Sequence, residues 1–192
     1  ATHIDGMTIH SFCGIGIKEE VTKADLDAIA TKPHIVRQVA RCKVLIIDEI
    51  SMLPAHTLDN VEKIISHLKG NFMDGSYFGG IQVIFVGDFY QLPPISKRGG
   101  KQAQFAFNSK VWQEMNPVVC YLTEQHRQQG GEFTEILNAI RAGRITAEQK
   151  KRLVANNVTA IPQTKIYTHN EDVDRLNVIE LAKIKEKEHV YW

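Results

Sequence analysis

Two adjacent carboxylates, Asp48 and Glu49, follow directly on the apolar run Val44–Ile47. Acids at the end of a buried strand can hold a divalent ion and orient water against a phosphate, because Mg²⁺ prefers carboxylate, water and phosphate oxygens. The same acids can instead cap the helix that follows them. On their own they leave both a phosphate-transfer site and a structural cap open.

A second polar segment follows the next apolar run of the chain. Residues 81–86 lead into the segment GDFYQLPP, which contains Asp88 and places Gln91 before two prolines. Asp88 lies 40 residues after Asp48 (88 − 48), which leaves room for a crossover helix between neighbouring parallel strands. Because ligands of open parallel sheets bind beyond the carboxyl ends of the strands, both segments are predicted to line one crevice. Together they favour a nucleotide site.

An arginine follows a third apolar run, residues 118–122. In the segment LTEQHRQ, Arg127 is predicted to lie at the same edge of the sheet. There it would neutralise charge that develops on a γ-phosphate during phosphoryl transfer. The alternative is a surface arginine paired with Glu124, and the neighbouring His126 is predicted to be structural.

Strands alternating with helices are needed to carry these segments. The apolar runs at 44–47, 81–86, 118–122 and 165–168 are continuous, which predicts strands covered on both faces. Helices are predicted after Pro54 up to Gly70, along the apolar stripe from Phe133 to Ile140, after the capping box of Thr146 and Gln149, and from Asn170. This alternation predicts an α/β fold with a parallel sheet.

The composition excludes several classes of protein. With 192 residues, 43% of them apolar, the chain can form a globular core, and its net charge of +1 does not mark a nucleic-acid or membrane binder. Cys13, Cys42 and Cys120 are widely spaced, which disfavours disulfides or a zinc site and favours a reducing, intracellular compartment. That compartment would be a prokaryotic cytoplasm, a nucleus or a mitochondrion. No apolar run approaches the ~18 residues of a membrane span, and no signal-peptide pattern opens the sequence.

The motifs, taken in order, resemble those of one family. TIHSFCGIG, IIDEISM, FGGIQVIFVGDFYQLPP, HRQ followed by FTEILNAIRAG, and THNEDVDRLN are similar to successive motifs of the Pif-type, RecD-like helicases of superfamily one. The resemblance covers nearly the whole chain. It implies a RecA-like core of the P-loop NTPase type over residues 1–157 and the beginning of a second RecA-like core over residues 158–192.

The resemblance also implies an activity and its residues. Such proteins hydrolyse ATP with Mg²⁺, move 5′ to 3′ on single-stranded DNA, and unwind duplexes and often quadruplexes. Asp48 would then hold Mg²⁺, partly through water, and Glu49 would polarise the attacking water as general base. Gln91 would sense the γ-phosphate and couple it to DNA, and Arg127 would contact the γ-phosphate from the cleft edge. The oligomeric state is left open.

A set of DNA contacts is implied in the same way, with polar side chains on phosphates and aromatic rings on bases. The candidates are Thr8, His10, Ser11, Phe89 and Tyr90. For Phe12, in the same stretch, packing into the core is favoured over stacking on a base, and the same choice is open for the two later aromatic residues. The basic residues Lys97, Arg98 and Lys101 favour a solvated turn over a DNA contact.

The sequence departs from the family's pattern at both ends. No Gly-x-x-x-x-Gly-Lys-Ser/Thr loop occurs in it, and residues 165–184 resemble only the first strand and helix of the second core. We therefore expect the central part of a helicase, inactive alone, with apolar surface open where a first strand would pack. The alternatives are an ATPase-dead homologue that binds nucleic acid or protein, and, more weakly, another P-loop ATPase without a DNA role.

Overall fold

The computed structural model describes residues 6–16, 18–70, 75–96, 102–124, 126, 130–155, 166–167 and 170–186. The chain divides into two compact units, Ala1–Glu124 and Gln125–Trp192. The domain boundary predicted after residue 157 falls outside the described residues and stays a prediction.

The first unit carries two strands and five α-helices among its described residues. In chain order these are α1 (Ile9–Cys13), α2 (Lys23–Ala30), α3 (Pro33–Arg41), β1 (Val44–Ile47), α4 (Ala55–Lys69), β2 (Gln82–Phe85) and α5 (Lys110–Met115). Short 3-10 turns at Ile50–Met52, Tyr77–Gly80 and Ala106–Asn108 connect them. β1 and β2 pair in parallel, with Val44 opposite Gln82 and Ile47 opposite Phe85. The predicted parallel pair with a crossover helix is confirmed.

Helix α4 is the centre of the core. It begins after Pro54 and ends at Gly70, whose φ of 70° is a left-handed conformation that suits glycine. One stripe of its side chains is fully buried, formed by Leu58, Val61, Ile64 and Ile65. Pro54 and Gly70 therefore bound the helix as the sequence predicts, and the stripe packs α4 into the hydrophobic core.

The sheet is covered on one face only by the described residues. In β1, Leu45 and Ile47 are buried, whereas Val44 is 46% and Ile46 is 62% exposed. Ile84 of β2 is likewise 40% exposed. The prediction of strands covered on both faces is thus wrong here, because the described core elements pack against one face. The expected apolar surface open to water is present on the other.

The third and fourth predicted strands differ from expectation. Residues 116–124 have no regular secondary structure, and Val118 and Leu122 are 91% and 94% exposed. A strand is held by hydrogen bonds to a neighbour, and the described sheet contains only β1 and β2. Residues 166 and 167 are likewise not in a strand, and the other two residues of that run lie outside the described part.

A polar clamp fixes the entry of β2, and we call it the Glu62–Ser66 clamp. The Phe78 amide donates to Glu62 Oε1 at 3.4 Å, and the Gly79 amide donates to Ser66 Oγ at 3.0 Å. Ser66 in turn donates to Glu62 Oε1. The side chain of Phe78 is fully buried. Helix α4 thereby sets where the chain enters β2, which begins at Gln82, with Ile81 alone separating it from the 3-10 turn.

The second unit contains three described helices, α6 (Glu132–Arg141), α7 (Ala147–Ala155) and α8 (Asn170–Leu181). The predicted capping box of α7 is present, because the Thr146 amide donates to Gln149 Oε1 at 2.9 Å and the Gln149 amide donates to Thr146 Oγ1 at 3.2 Å. The predicted helix α6 and the predicted start of α8 are also present, but of the predicted α6 stripe only Ile136 is buried, whereas Phe133, Leu137 and Ile140 are exposed. Among the described residues, the helices are all too short or too polar to cross a membrane.

Candidate nucleotide site at the strand ends

The ends of β1 and β2 remain joined beyond the last sheet pair. The Val86 amide donates to the carbonyl of Ile47 at 2.9 Å, and the Ile50 amide donates to the carbonyl of Val86 at 3.0 Å. Because these bonds bracket Asp48 and Glu49, the two acids lie beside the start of the segment 87–91. The two polar segments are therefore adjacent at one edge of the sheet, while the crevice predicted between them stays a prediction.

Glu49 has a strained backbone. Its φ of 53° and ψ of 45° place it in the left-handed region, which non-glycine residues seldom occupy. The Asp48 carboxylate accepts a hydrogen bond from the Glu49 amide at 2.9 Å, and both side chains are exposed. The N-cap of α4 is Pro54, and Glu49 makes no capping bond to the 3-10 turn that follows it. The strand-end acids are therefore not helix caps, and strain of this kind is typical of functional sites.

Asp88 holds Gln91 in a tight turn. The Asp88 carboxylate accepts from the Tyr90 amide at 3.1 Å and from Gln91 Nε2 at 3.4 Å, while the Asp88 carbonyl accepts from the Gln91 amide at 2.9 Å. Gln91 itself is exposed. The sequence interpretation placed Asp88 only as a lining residue. Its tendency to bond the backbone two residues onward was the signal that could have revealed this holding role.

The adjacent aromatic residues Phe89 and Tyr90 have different environments. The Phe89 ring packs edge-to-face against Phe105, Phe107 and Trp112, with centroid distances of 5.6, 4.9 and 6.2 Å. Tyr90 is 79% exposed. Of the two DNA-contact candidates, only Tyr90 therefore presents its ring to solvent.

The candidate DNA segment forms the short helix α1. Thr8 is its N-cap, and Thr8 Oγ1 accepts from the Ser11 amide at 3.2 Å and donates to Ser11 Oγ at 3.0 Å. His10 is exposed, whereas Phe12 is partly buried against the core, the placement that the sequence favoured. The Phe12 carbonyl accepts from Gln38 Nε2 at 2.8 Å. The hydroxyls of Thr8 and Ser11 thus have a local capping role.

Several predicted site residues are not placed by the structure. Arg127 lies outside the described residues, as do Lys97, Arg98 and Lys101. His126 is described and exposed. The γ-phosphate contact proposed for Arg127 and its alternative pairing with Glu124 both stay predictions.

The carboxylates at the strand ends suit a metal that is held only in part by protein. Within the described residues there is no group of three or more His, Cys, Asp or Glu side chains that could hold a metal ion. Asp48 and Glu49 are exposed at the sheet edge, so an ion there would take its remaining ligands from water and phosphate. Mg²⁺ is commonly bound in this way, through one or two carboxylates plus phosphate oxygens.

Comparison with known proteins decides the family. A model of the family described as PIF1-like helicase matches residues 1–151. The chain belongs to the PIF1-like helicases. The chain is 41% identical over 196 residues to the ATP-dependent DNA helicase Pif1 of Psychrobacter sp. (strain PRwf-1), which covers 96% of this chain and 29% of that relative. It is 36% identical to human PIF1, over 98% of this chain and 30% of that protein.

Solved structures agree with this family membership. The PIF1-like chain superposes on the Bacteroides Pif1 helicase in complex with ADP-AlF3 and ssDNA with a TM-score of 0.83 at 29% identity, over 98% of this chain and 46% of that one. The Candida albicans Pif1 helicase gives a TM-score of 0.81 at 32% identity, over 96% and 42%. The predicted RecA-like α/β fold is confirmed. The chain spans under a third of the length of these curated relatives.

Proposed function

We propose that this chain supplies the Mg²⁺- and phosphate-facing part of an ATP-dependent DNA helicase that moves 5′ to 3′ on single-stranded DNA. The observation that carries the proposal is the joining of Asp48 and Glu49 to residues 87–91 at the carboxyl ends of two parallel strands. Two further findings support it. Relatives bear the name ATP-dependent DNA helicase, and the Bacteroides Pif1 was crystallised with ADP-AlF3 and ssDNA.

In this proposal the two acids divide the chemistry. Asp48 would hold Mg²⁺ together with water and nucleotide phosphates, and the bound ion would supply positive charge that neutralises the phosphates during transfer. Glu49 accepts the proton of the attacking water and orients it toward the γ-phosphate. The left-handed backbone of Glu49 turns the chain sharply after β1, so that its carboxylate stays exposed at the strand end instead of entering the core.

Gln91 is suited to sense the γ-phosphate. Its Nε2 group donates to Asp88 at 3.4 Å, which is long for a hydrogen bond, so a phosphate oxygen can compete for the same donor. If Gln91 Nε2 exchanged Asp88 for a phosphate oxygen, the turn that also carries Tyr90 would change. The bound nucleotide would in this way alter the position of the exposed Tyr90 ring. Arg127 is proposed as a further γ-phosphate contact on the family resemblance alone.

DNA contact is proposed for His10 and Tyr90, with secondary contributions from Thr8 and Ser11. The exposed ring of Tyr90 can stack on a base, which contributes about 1–3 kcal/mol in comparable sites. Phe89 is not carried forward, because its ring packs in the aromatic cluster. Action at duplex or quadruplex junctions belongs to the same proposal.

A reducing, intracellular compartment is also proposed. Cys13, Cys42 and Cys120 are all free cysteines. Burial raises the pKa of the Cys13 thiol to about 12, which keeps it protonated and unreactive at neutral pH.

The test is Glu49→Gln in the complete natural protein that contains this chain. We expect ATP binding to be retained and DNA-stimulated hydrolysis to fall by about 10² to 10⁴-fold, because the amide keeps the shape of the side chain but loses the base. Nucleotide affinity and steady-state phosphate release are measured side by side, with the exposed Glu20→Gln as matched control. Near-normal turnover would remove Glu49 from the role of general base. Wild-type protein that binds DNA without hydrolysing ATP would support the binding-module alternative.

A further inference from the structure

The backbone of Gly87 lies directly against the peptide that joins Glu49 to Ile50. A Cβ atom at Gly87 would be 2.9 Å from the Ile50 nitrogen, 3.0 Å from Ile50 Cγ2 and 3.5 Å from the Glu49 carbonyl carbon. Real Cβ atoms essentially never approach another heavy atom within 3.0 Å, so no side chain fits at position 87 unless the backbone shifts.

The surroundings restrict which part of the backbone can shift. The Ile50 amide is held by the Val86 carbonyl at 3.0 Å, and the Val86 amide is held by Ile47 at 2.9 Å. Ile50 is only 2% exposed, so its side chain is fixed in the core. Glu49 is exposed and already in a strained left-handed conformation. A steric clash caused by a side chain at position 87 would therefore be relieved mainly by a shift of the Glu49 backbone.

We propose that Gly87 is a positioning residue for Glu49. The absent side chain lets the end of β2 close on the Glu49–Ile50 peptide, and this contact holds the left-handed backbone that aims the Glu49 carboxylate. The proposal rests on the catalytic role proposed for Glu49. In this proposal Gly87 acts on the reaction only through that side chain, and Gln91 is held separately by Asp88.

The expected effect follows from the displacement. Moving the Cβ from 2.9 Å to an ordinary van der Waals separation of about 3.5 Å requires a shift of roughly half an ångström. Misplacement of a catalytic group by about 1 Å can cost about 100-fold in rate. We therefore expect Gly87→Ala to lower kcat for ATP hydrolysis by about 10- to 100-fold, with nucleotide affinity unchanged within about threefold.

The experiment compares Gly87→Ala with Gly75→Ala in the complete natural protein. Gly75 has a φ of 71°, and apart from its chain neighbours no atom of the described residues lies within 4 Å of the place that an alanine methyl group would take, so its substitution removes a glycine without creating a contact there. Its kcat is expected to stay within about twofold of wild type. Nucleotide affinity, kcat with saturating single-stranded DNA, and thermal melting are measured for each variant.

Double-mutant cycles identify the residue through which Gly87 acts. If it acts through Glu49, Gly87→Ala adds little to the loss caused by Glu49→Gln in single-turnover hydrolysis. With Gln91→Ala the two losses should multiply. Independent losses with Glu49→Gln, or a shared loss with Gln91→Ala, would overturn the proposal.

The remaining outcomes are also decisive. Wild-type kcat in Gly87→Ala would overturn this inference alone, whereas a wild-type protein without ATP hydrolysis would refute the proposed function. Loss of the cooperative melting transition in Gly87→Ala would show that the glycine has a purely structural role, which also overturns the proposal. A lowered nucleotide affinity with unchanged kcat would do the same.

Discussion

Replacement of Asn60 by alanine should destabilise the first unit by about 1.5–4 kcal/mol, because it removes the two hydrogen bonds that Asn60 makes to backbone groups. Asn60 lies in α4, is 2% exposed, and bridges two backbone groups of the segment between α1 and α2. Its Oδ1 accepts from the Val21 amide at 3.2 Å, and its Nδ2 donates to the Glu19 carbonyl at 2.9 Å. Asn60 therefore joins the segment that follows the candidate DNA helix α1 to helix α4, which follows the strand-end acids.

The size of this loss of stability follows from the two backbone groups that bond to Asn60, the Val21 amide and the Glu19 carbonyl. The Val21 amide bond is buried, so an unpaired N–H there costs about 1–3 kcal/mol. The Glu19 carbonyl bond is only part-buried, so this oxygen can turn to water and its loss costs about 0.5–1 kcal/mol. With a urea m-value of about 2 kcal/mol per M, the midpoint of unfolding should fall by about 0.75–2 M.

Urea unfolding followed by the fluorescence of Trp112 measures this change. Trp112 stacks on Phe85 with a centroid distance of 4.8 Å, so its emission reports on the first unit. The exposed Asn108 provides the matched control, and Asn108→Ala should stay within about 0.5 kcal/mol of wild type. An Asn60→Ala variant within that same range would refute the reasoning, since it would show that the two bridged groups find water without cost.

Three further outcomes are expected. Ser51→Ala should leave the free energy of unfolding unchanged or raise it by up to about 1 kcal/mol, because Ser51 Oγ is buried without a hydrogen-bond partner among the described residues. A clear fall in the free energy of unfolding, measured with urea, would instead show that Ser51 Oγ has such a partner. The 192-residue chain alone should release no phosphate from ATP above background, because its sequence lacks the Gly-Lys-Ser/Thr loop that fixes the phosphates; hydrolysis that disappears in Asp48→Ala would contradict this. Its DNA binding should be weak, prefer single strands and fall steeply with salt, since the net charge is +1; salt-insensitive, tight duplex binding in anisotropy titrations would argue for the binding module.

Local signals predicted the elements that carry the strand-end acids. Pro54 and Gly70 bound α4 as expected, and the run Val44–Ile47 is β1 without change of limits. These features depend on neighbours in sequence, such as a fixed proline φ and a left-handed glycine. The joining of the two polar segments also followed from the sequence, because parallel strands with one crossover bring their carboxyl ends to one edge.

Other features depend on residues far apart in the chain and were not visible in it. The run 118–122 has strand composition, but no described neighbour pairs with it. Phe89 and Tyr90 are adjacent and chemically similar, and only the packing of Phe89 against Phe107 separates their environments. The left-handed backbone of Glu49 likewise has no sequence signature, because it occurs where the chain meets the distant segment that begins at Val86, to whose carbonyl the Ile50 amide donates.

The Glu62–Ser66 clamp determines where the chain can change length. It holds the amides of Phe78 and Gly79, so the pairing of Val44 with Gln82 is fixed by contacts that come after Ser76 in the chain. Residues inserted before Ser76 would lengthen the connection from α4 without moving β2. One residue inserted between Gly80 and Gly87 would move each later side chain of the strand to the opposite face of the sheet. It would also displace Gln91 along the strand direction by about 3.3 Å. A reporter peptide or affinity tag within this unit should therefore be inserted before Ser76, where it leaves the strand ends that carry the candidate site in register.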